Sequence, residues 1–188
     1  MPLNLPTLLT LLRIALIPVF VGVFFLPVRG ANMLCAALFG LAALTDWLDG
    51  YLARRFDQTS AFGAFLDPVA DKLMVAAALV LLVQAIPTPW MAAAAVVIIG
   101  REIAVSALRE WMAQIGNHRR VAVSMVGKFK TTAQMVAVLL LLYREPLGGF
   151  PTLDVGLGLL LVAAALTLWS MLHYLLAAWP ALRPDRRG

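Results

Sequence analysis

Six stretches of mainly apolar residues follow one another along the chain, at about 7–27, 31–55, 61–86, 88–112, 125–143 and 153–178. About 20 such residues are needed to cross a bilayer as a helix. Turn-forming residues separate the stretches: Pro27-Val28-Arg29-Gly30, Ile86-Pro87-Thr88-Pro89 and Gly148-Gly149-Phe150-Pro151. The chain is 62% hydrophobic and 13% charged, against roughly 25% charged residues in soluble domains. The expectation is an all-α integral membrane protein: one domain over residues 1–188, with six transmembrane helices.

The net charge of +5 would suggest nucleic acid in a soluble protein. Here the cations gather at helix ends, where they set topology and meet anionic headgroups or phosphates, so no nucleic-acid partner is expected. One set of connections holds Arg54, Arg55, Arg119, Arg120, Lys128, Lys130, Arg183, Arg186 and Arg187; the other holds Arg29 and Arg144. The positive-inside bias makes the first set cytoplasmic, and both termini with it. The run from Ile14 to Pro27 reads as the end of a first membrane helix rather than a cleavable leader. The single cysteine, Cys35, excludes an internal disulfide and reads as a small buried hydrophobe. His118 reads as interfacial and His173 as packed in the last span, neither with metal-ligand company.

Against this background, seven charges stand inside apolar runs: Asp46, Asp49, Asp67, Asp71, Lys72, Arg101 and Glu102. Each costs about 2.5–3.5 kcal/mol on insertion scales, so such residues usually face a wet cavity or one another and mark function. Asp46, Asp49, Gly50 and Ala53 share one helix face, as do Gly63, Asp67 and Asp71. The short link Asp57-Gln58-Thr59-Ser60 makes the two helices an antiparallel hairpin. Positions equidistant from the link then lie level, giving two rungs, Asp46 with Asp71 and Asp49 with Asp67. At 1.5 Å rise per residue the rungs lie roughly 10–15 Å below the cytoplasmic helix ends.

Four carboxylates at one site cannot all stay ionised without countercharge. Divalent cations supply it, and oxygen-only ligation favours Mg²⁺ or Mn²⁺ over zinc. Two such ions would be placed to clamp a phosphoryl group. Gly50, Ala53 and Gly63 leave room beside the acids for a bulky ligand, and Arg54 lies level with Gly63. A purely structural role is weaker, because polar contacts between membrane helices average only about 0.6 kcal/mol. A proton or cation pathway would place its acids nearer the midplane.

The full run is Thr45, then Asp46-Trp-Leu-Asp49-Gly50-Tyr-Leu-Ala53-Arg54, eight residues, then Gly63-Ala-Phe-Leu-Asp67-Pro-Val-Ala-Asp71. It resembles the signature of the CDP-alcohol phosphatidyltransferases, with every fixed position filled, and the six-span layout resembles that family over nearly the whole chain. Three further segments resemble the members that use glycerol 3-phosphate: Asn4-Leu-Pro6-Thr7-Leu-Leu-Thr10-Leu-Leu-Arg13, Gly100-Arg101-Glu102-Ile103 with Ser106-Ala-Leu-Arg109-Glu110-Trp111, and Gly127-Lys128-Phe-Lys130-Thr131-Thr132-Ala-Gln134.

The resemblance implies transfer of the phosphatidyl group of CDP-diacylglycerol to the 1-hydroxyl of sn-glycerol 3-phosphate. The products would be phosphatidylglycerophosphate and CMP. It implies that Asp46, Asp49, Asp67 and Asp71 hold Mg²⁺ or Mn²⁺, two ions in all, and that Asp71 also takes the hydroxyl proton. Thr45, Asp49, Gly50, Ala53, Arg54 and Gly63 match the positions that bind CDP-diacylglycerol. A homodimer in the bacterial inner membrane, with its active site facing the cytoplasm, is also implied.

The acceptor brings a phosphate dianion, so its site needs cations; the candidates are Arg101, Arg109, Lys128 and Lys130. Lys72 points about 100° away from Asp71 and could serve a substrate or a helix contact. Sister transferases acting on inositol phosphate, serine or phosphatidylglycerol share the signature. An intramembrane prenyltransferase normally needs more spans. A cation transporter gives no reason for Gly63, Ala53 and Arg54 at their offsets.

Overall fold

The computed structural model describes residues 5–56, 61–114 and 125–182, except for the side chains at 5–6, 47, 49–56, 61, 64, 109, 113, 125–128, 174–175 and 177–182. Among them are six helices: α1 (Leu5–Phe24), α2 (Ala31–Phe56), α3 (Ala61–Ala85), α4 (Pro89–Gln114), α5 (Met125–Tyr143) and α6 (Thr152–Leu182). Their bounds follow local chemistry. Gly30 takes φ 87°, open to glycine, just before α2. Thr88 caps α4, its Oγ1 accepting from the Met91 amide at 3.2 Å, with Pro89 in the first helical position. Arg144 closes α5 in the left-handed region, its amide bonded to the Leu140 carbonyl at 3.1 Å. Gly148 and Gly149, both at positive φ, then form a tight reversal between Leu147 and Phe150.

The helices form a closed ring in the order α1, α2, α5, α6, α4, α3, with α3 also packed across it on α2 and α5. The core contains Phe20, Phe39, Leu79, Leu82, Met91, Ile98, Leu141 and Leu160, with alanines 78, 94, 95, 137 and 164 among them. Such small residues let helix backbones approach closely, which is how membrane helices pack without a hydrophobic drive between them.

The exterior is apolar as well: Val96 is 72% exposed, Phe65 67%, Trp90 66% and Ile103 65%. α1 shows the inversion most sharply. Its inward stripe of Thr7, Thr10 and Arg13 is buried at 3%, 0% and 1%, while Leu8 and Leu12 face outward. In water this order would be reversed.

Among the described residues, three segments are long and apolar enough to cross a membrane: Thr7–Phe24, Pro89–Met112 and Thr152–His173. Among the same residues, α2 and α5 also hold apolar stretches, Ala31–Asp46 and Phe129–Tyr143. α3 carries Asp67, Asp71 and Lys72 within its own first half.

α1 packs on both α2 and α3, whose direct contact with each other is much smaller. His173 is exposed rather than packed, its Nδ1 3.0 Å from the Trp169 carbonyl and its ring 4.6 Å from that indole. His118 lies outside the described residues. Cys35 is buried, as expected.

Candidate active site

Asp46 lies toward the C-terminal end of α2, and Asp67 and Asp71 toward the N-terminal end of α3. The chain direction therefore brings the acids to one end of the bundle. The turns at 25–30, 86–88 and 144–151 occupy the other end. Helical periodicity puts Asp67 and Asp71 one turn apart on the same face.

The Asp71 carboxylate feels the charges of Asp46, Arg13, Glu102 and Lys72. α1 packs against both helices that carry Asp46 and Asp71. The other rung, Asp49 with Asp67, involves a side chain outside the described residues.

α1 takes part directly. Arg13 Nη1 donates to Asp46 Oδ1 at 2.7 Å, an ion pair in which the guanidinium is buried and the carboxylate half exposed. Thr10 Oγ1 donates to Asp67 Oδ1. A buried guanidinium needs such a partner, because desolvating an unpaired charge is costly. Neither Thr10 nor Arg13 was among the expected site residues. The signal lay in their spacing with Thr7, which puts a polar stripe on a helix otherwise apolar all round.

A second polar group joins α3 and α4. Lys72 Nζ donates to Ser106 Oγ, which itself donates to the Glu102 carbonyl at 2.6 Å. Lys72 is therefore held in a helix contact. Arg101 Nη1 pairs with Glu102 Oε1 at 2.6 Å, while Arg101 Nε is buried with no hydrogen-bond partner. Lys130, only 5% exposed on α5, lies within electrostatic reach of both Arg101 and Glu102. Arg101 and Lys130 stand on different helices, α4 and α5. The side chains of Arg109 and Lys128 lie outside the description.

On the nucleotide side, Thr45 Oγ1 donates to the Leu41 carbonyl of its own helix, and Gly63 is buried on α3. Gly50, Ala53 and Arg54 are placed on α2 by its bounds, and their side chains are outside the description.

The donors suit a hard divalent cation in kind, since carboxylate oxygens favour Mg²⁺ or Mn²⁺. In position, no three His, Cys, Asp or Glu side chains among the described residues stand together as a metal-holding set. Asp46 and Asp67 each turn one oxygen to α1, and of the other two donors the side chain of Asp49 lies outside the description. Chemically, the arrangement offers carboxylates beside a separate cationic patch, suited to a phosphorylated substrate facing a proton acceptor.

Comparison with known proteins agrees with this chemistry. The family model for CDP-alcohol phosphatidyltransferase matches residues 3–178. A protein of Pseudomonas fluorescens is 55% identical over 185 residues, 98% of this chain and 94% of that protein. One of Pectobacterium atrosepticum is 56% identical over 178 residues, covering 95% and 96%. One of Salmonella typhimurium is 55% identical over 181 residues, with the same coverage. All three bear the name CDP-diacylglycerol–glycerol-3-phosphate 3-phosphatidyltransferase.

Proposed function

We propose that this chain, which belongs to the CDP-alcohol phosphatidyltransferase family, moves the phosphatidyl group of CDP-diacylglycerol to the 1-hydroxyl of sn-glycerol 3-phosphate. The observation that carries the reading is the identity of 55% or more, over nearly the full length, with relatives named for that reaction. The buried Lys130 and part-buried Arg101 support it, because the acceptor is itself a phosphate.

In this reading Asp71 accepts the proton of the acceptor hydroxyl. The hydroxyl oxygen then bonds to the phosphorus that carries diacylglycerol. The bond from that phosphorus to the bridging oxygen breaks, and CMP leaves with the electron pair. Asp46, Asp49, Asp67 and Asp71 would hold Mg²⁺ or Mn²⁺, whose contribution is positive charge beside the diphosphate and the departing CMP. Thr45, Gly50, Ala53, Arg54 and Gly63 would seat the cytidine diphosphate. Arg101, with Arg109, Lys128 and Lys130, would bind the acceptor phosphate; the buried, unpartnered Nε of Arg101 supports its part.

We also read residues 1–188 as one domain, all six helices as spans, and both termini as cytoplasmic. The enzyme would work as a homodimer in the bacterial inner membrane, opening its site to the cytoplasm. Purified protein given CDP-diacylglycerol and Mg²⁺ should release CMP when glycerol 3-phosphate is added. Inositol phosphate, serine and phosphatidylglycerol run in parallel should release little. CMP release dependent on one of those instead would overturn the acceptor assignment.

A further inference from the structure

The inward stripe of α1 has no role in the reaction described so far. Thr10 and Arg13 are both buried, they lie one turn apart, and they reach different helices: Thr10 the acid Asp67 on α3, Arg13 the acid Asp46 on α2. Each engages Oδ1 of its acid. Carboxylates that ligate a metal are typically fixed in this way by an outer hydrogen-bond partner, which sets their orientation.

We propose that Thr10 and Arg13 are positioning residues that make α1 the outer wall of the carboxylate site, each fixing one acid for divalent-cation binding. The inference rests on the reading of these acids as metal ligands. It explains why a buried arginine sits on a helix packed between α2 and α3. Arg13 also places a permanent positive charge beside Asp46. Loss of either residue would leave an acid free to rotate, and the cation would bind less tightly.

The test is Mn²⁺ binding to the purified full-length protein without lipid substrate, followed by electron paramagnetic resonance. Asp67→Asn and Asp46→Asn identify the site. Thr10→Val should weaken Mn²⁺ binding by about 10–100-fold, the usual cost of losing an outer partner. Thr10→Ser should restore it. Thr10→Val should add nothing in an Asp67→Asn background. Arg13→Gln should weaken binding similarly, and Arg13→Lys should recover part of the loss. If wild type binds Mn²⁺ through the acids, but Thr10→Val and Arg13→Gln bind it equally well, the inference is wrong and the metal reading survives. If wild type binds no Mn²⁺ at all, both fall together.

Discussion

Asp71 and Arg101 separate the two halves of the proposed chemistry. Asp71→Asn removes the proton acceptor while keeping shape, so turnover should fall by at least about 10²-fold, the lower range for general-base catalysis. CDP-diacylglycerol binding should persist. Substantial retained turnover would remove Asp71 from that role. Arg101→Ala should raise the apparent KM for glycerol 3-phosphate more than that for the lipid, and the opposite split would move Arg101 to the nucleotide side. Both residues stand out in the sequence because a charge inside an apolar run is costly and needs a reason. Arg13 carries the same signal near the start of α1, but its partner is on another helix. Periodicity within one segment does not reveal which face of a neighbour it meets. Thr10 was harder still, since a threonine in a membrane helix commonly bonds to its own backbone, as Thr167 does to the Ala163 carbonyl at 2.6 Å.

At the scale of elements, the helix bounds were legible to within a few residues because Pro, Gly and Thr88 punctuate the turns. Which helices touch was less so. Level rungs in an α2–α3 hairpin follow from the link length alone, and they place Asp46 near Asp71. They say nothing of a third helix packed on both. The α5–α6 contact, the most extensive in the bundle, depends on Gly156. A Cβ there would stand 2.9 Å from Leu141 Cγ and 3.2 Å from Leu140 Cβ, and Leu141 is fully buried. Gly156→Ala should therefore destabilise the protein by about 1–3 kcal/mol, as overpacking does, seen as a lower Tm in detergent. Gly22, on the same kind of helix, has nothing within 4 Å of the added carbon. Gly22→Ala should leave Tm unchanged or raise it slightly.

For the whole molecule, composition and the run of apolar segments point to a helical bundle with an apolar exterior, as the structure has. The excess of Lys and Arg at the end that carries the acids supports a cytoplasmic site, and labelling can check it. Cys35 is buried and should stay silent to a membrane-impermeant maleimide. A cysteine replacing Gly148 should react in intact cells. One replacing Phe62, which is 43% exposed at the start of α3, should react only after permeabilisation. The reverse pattern would invert the molecule. The central claim is that the acceptor hydroxyl attacks the phosphorus bearing diacylglycerol. Its most direct test uses sn-glycerol 3-phosphate carrying ¹⁸O in the 1-hydroxyl, with both products read by mass spectrometry. Full retention of the label in phosphatidylglycerophosphate, with none in CMP, is the predicted result; label in the nucleotide, or release of CMP without labelled lipid, would contradict it.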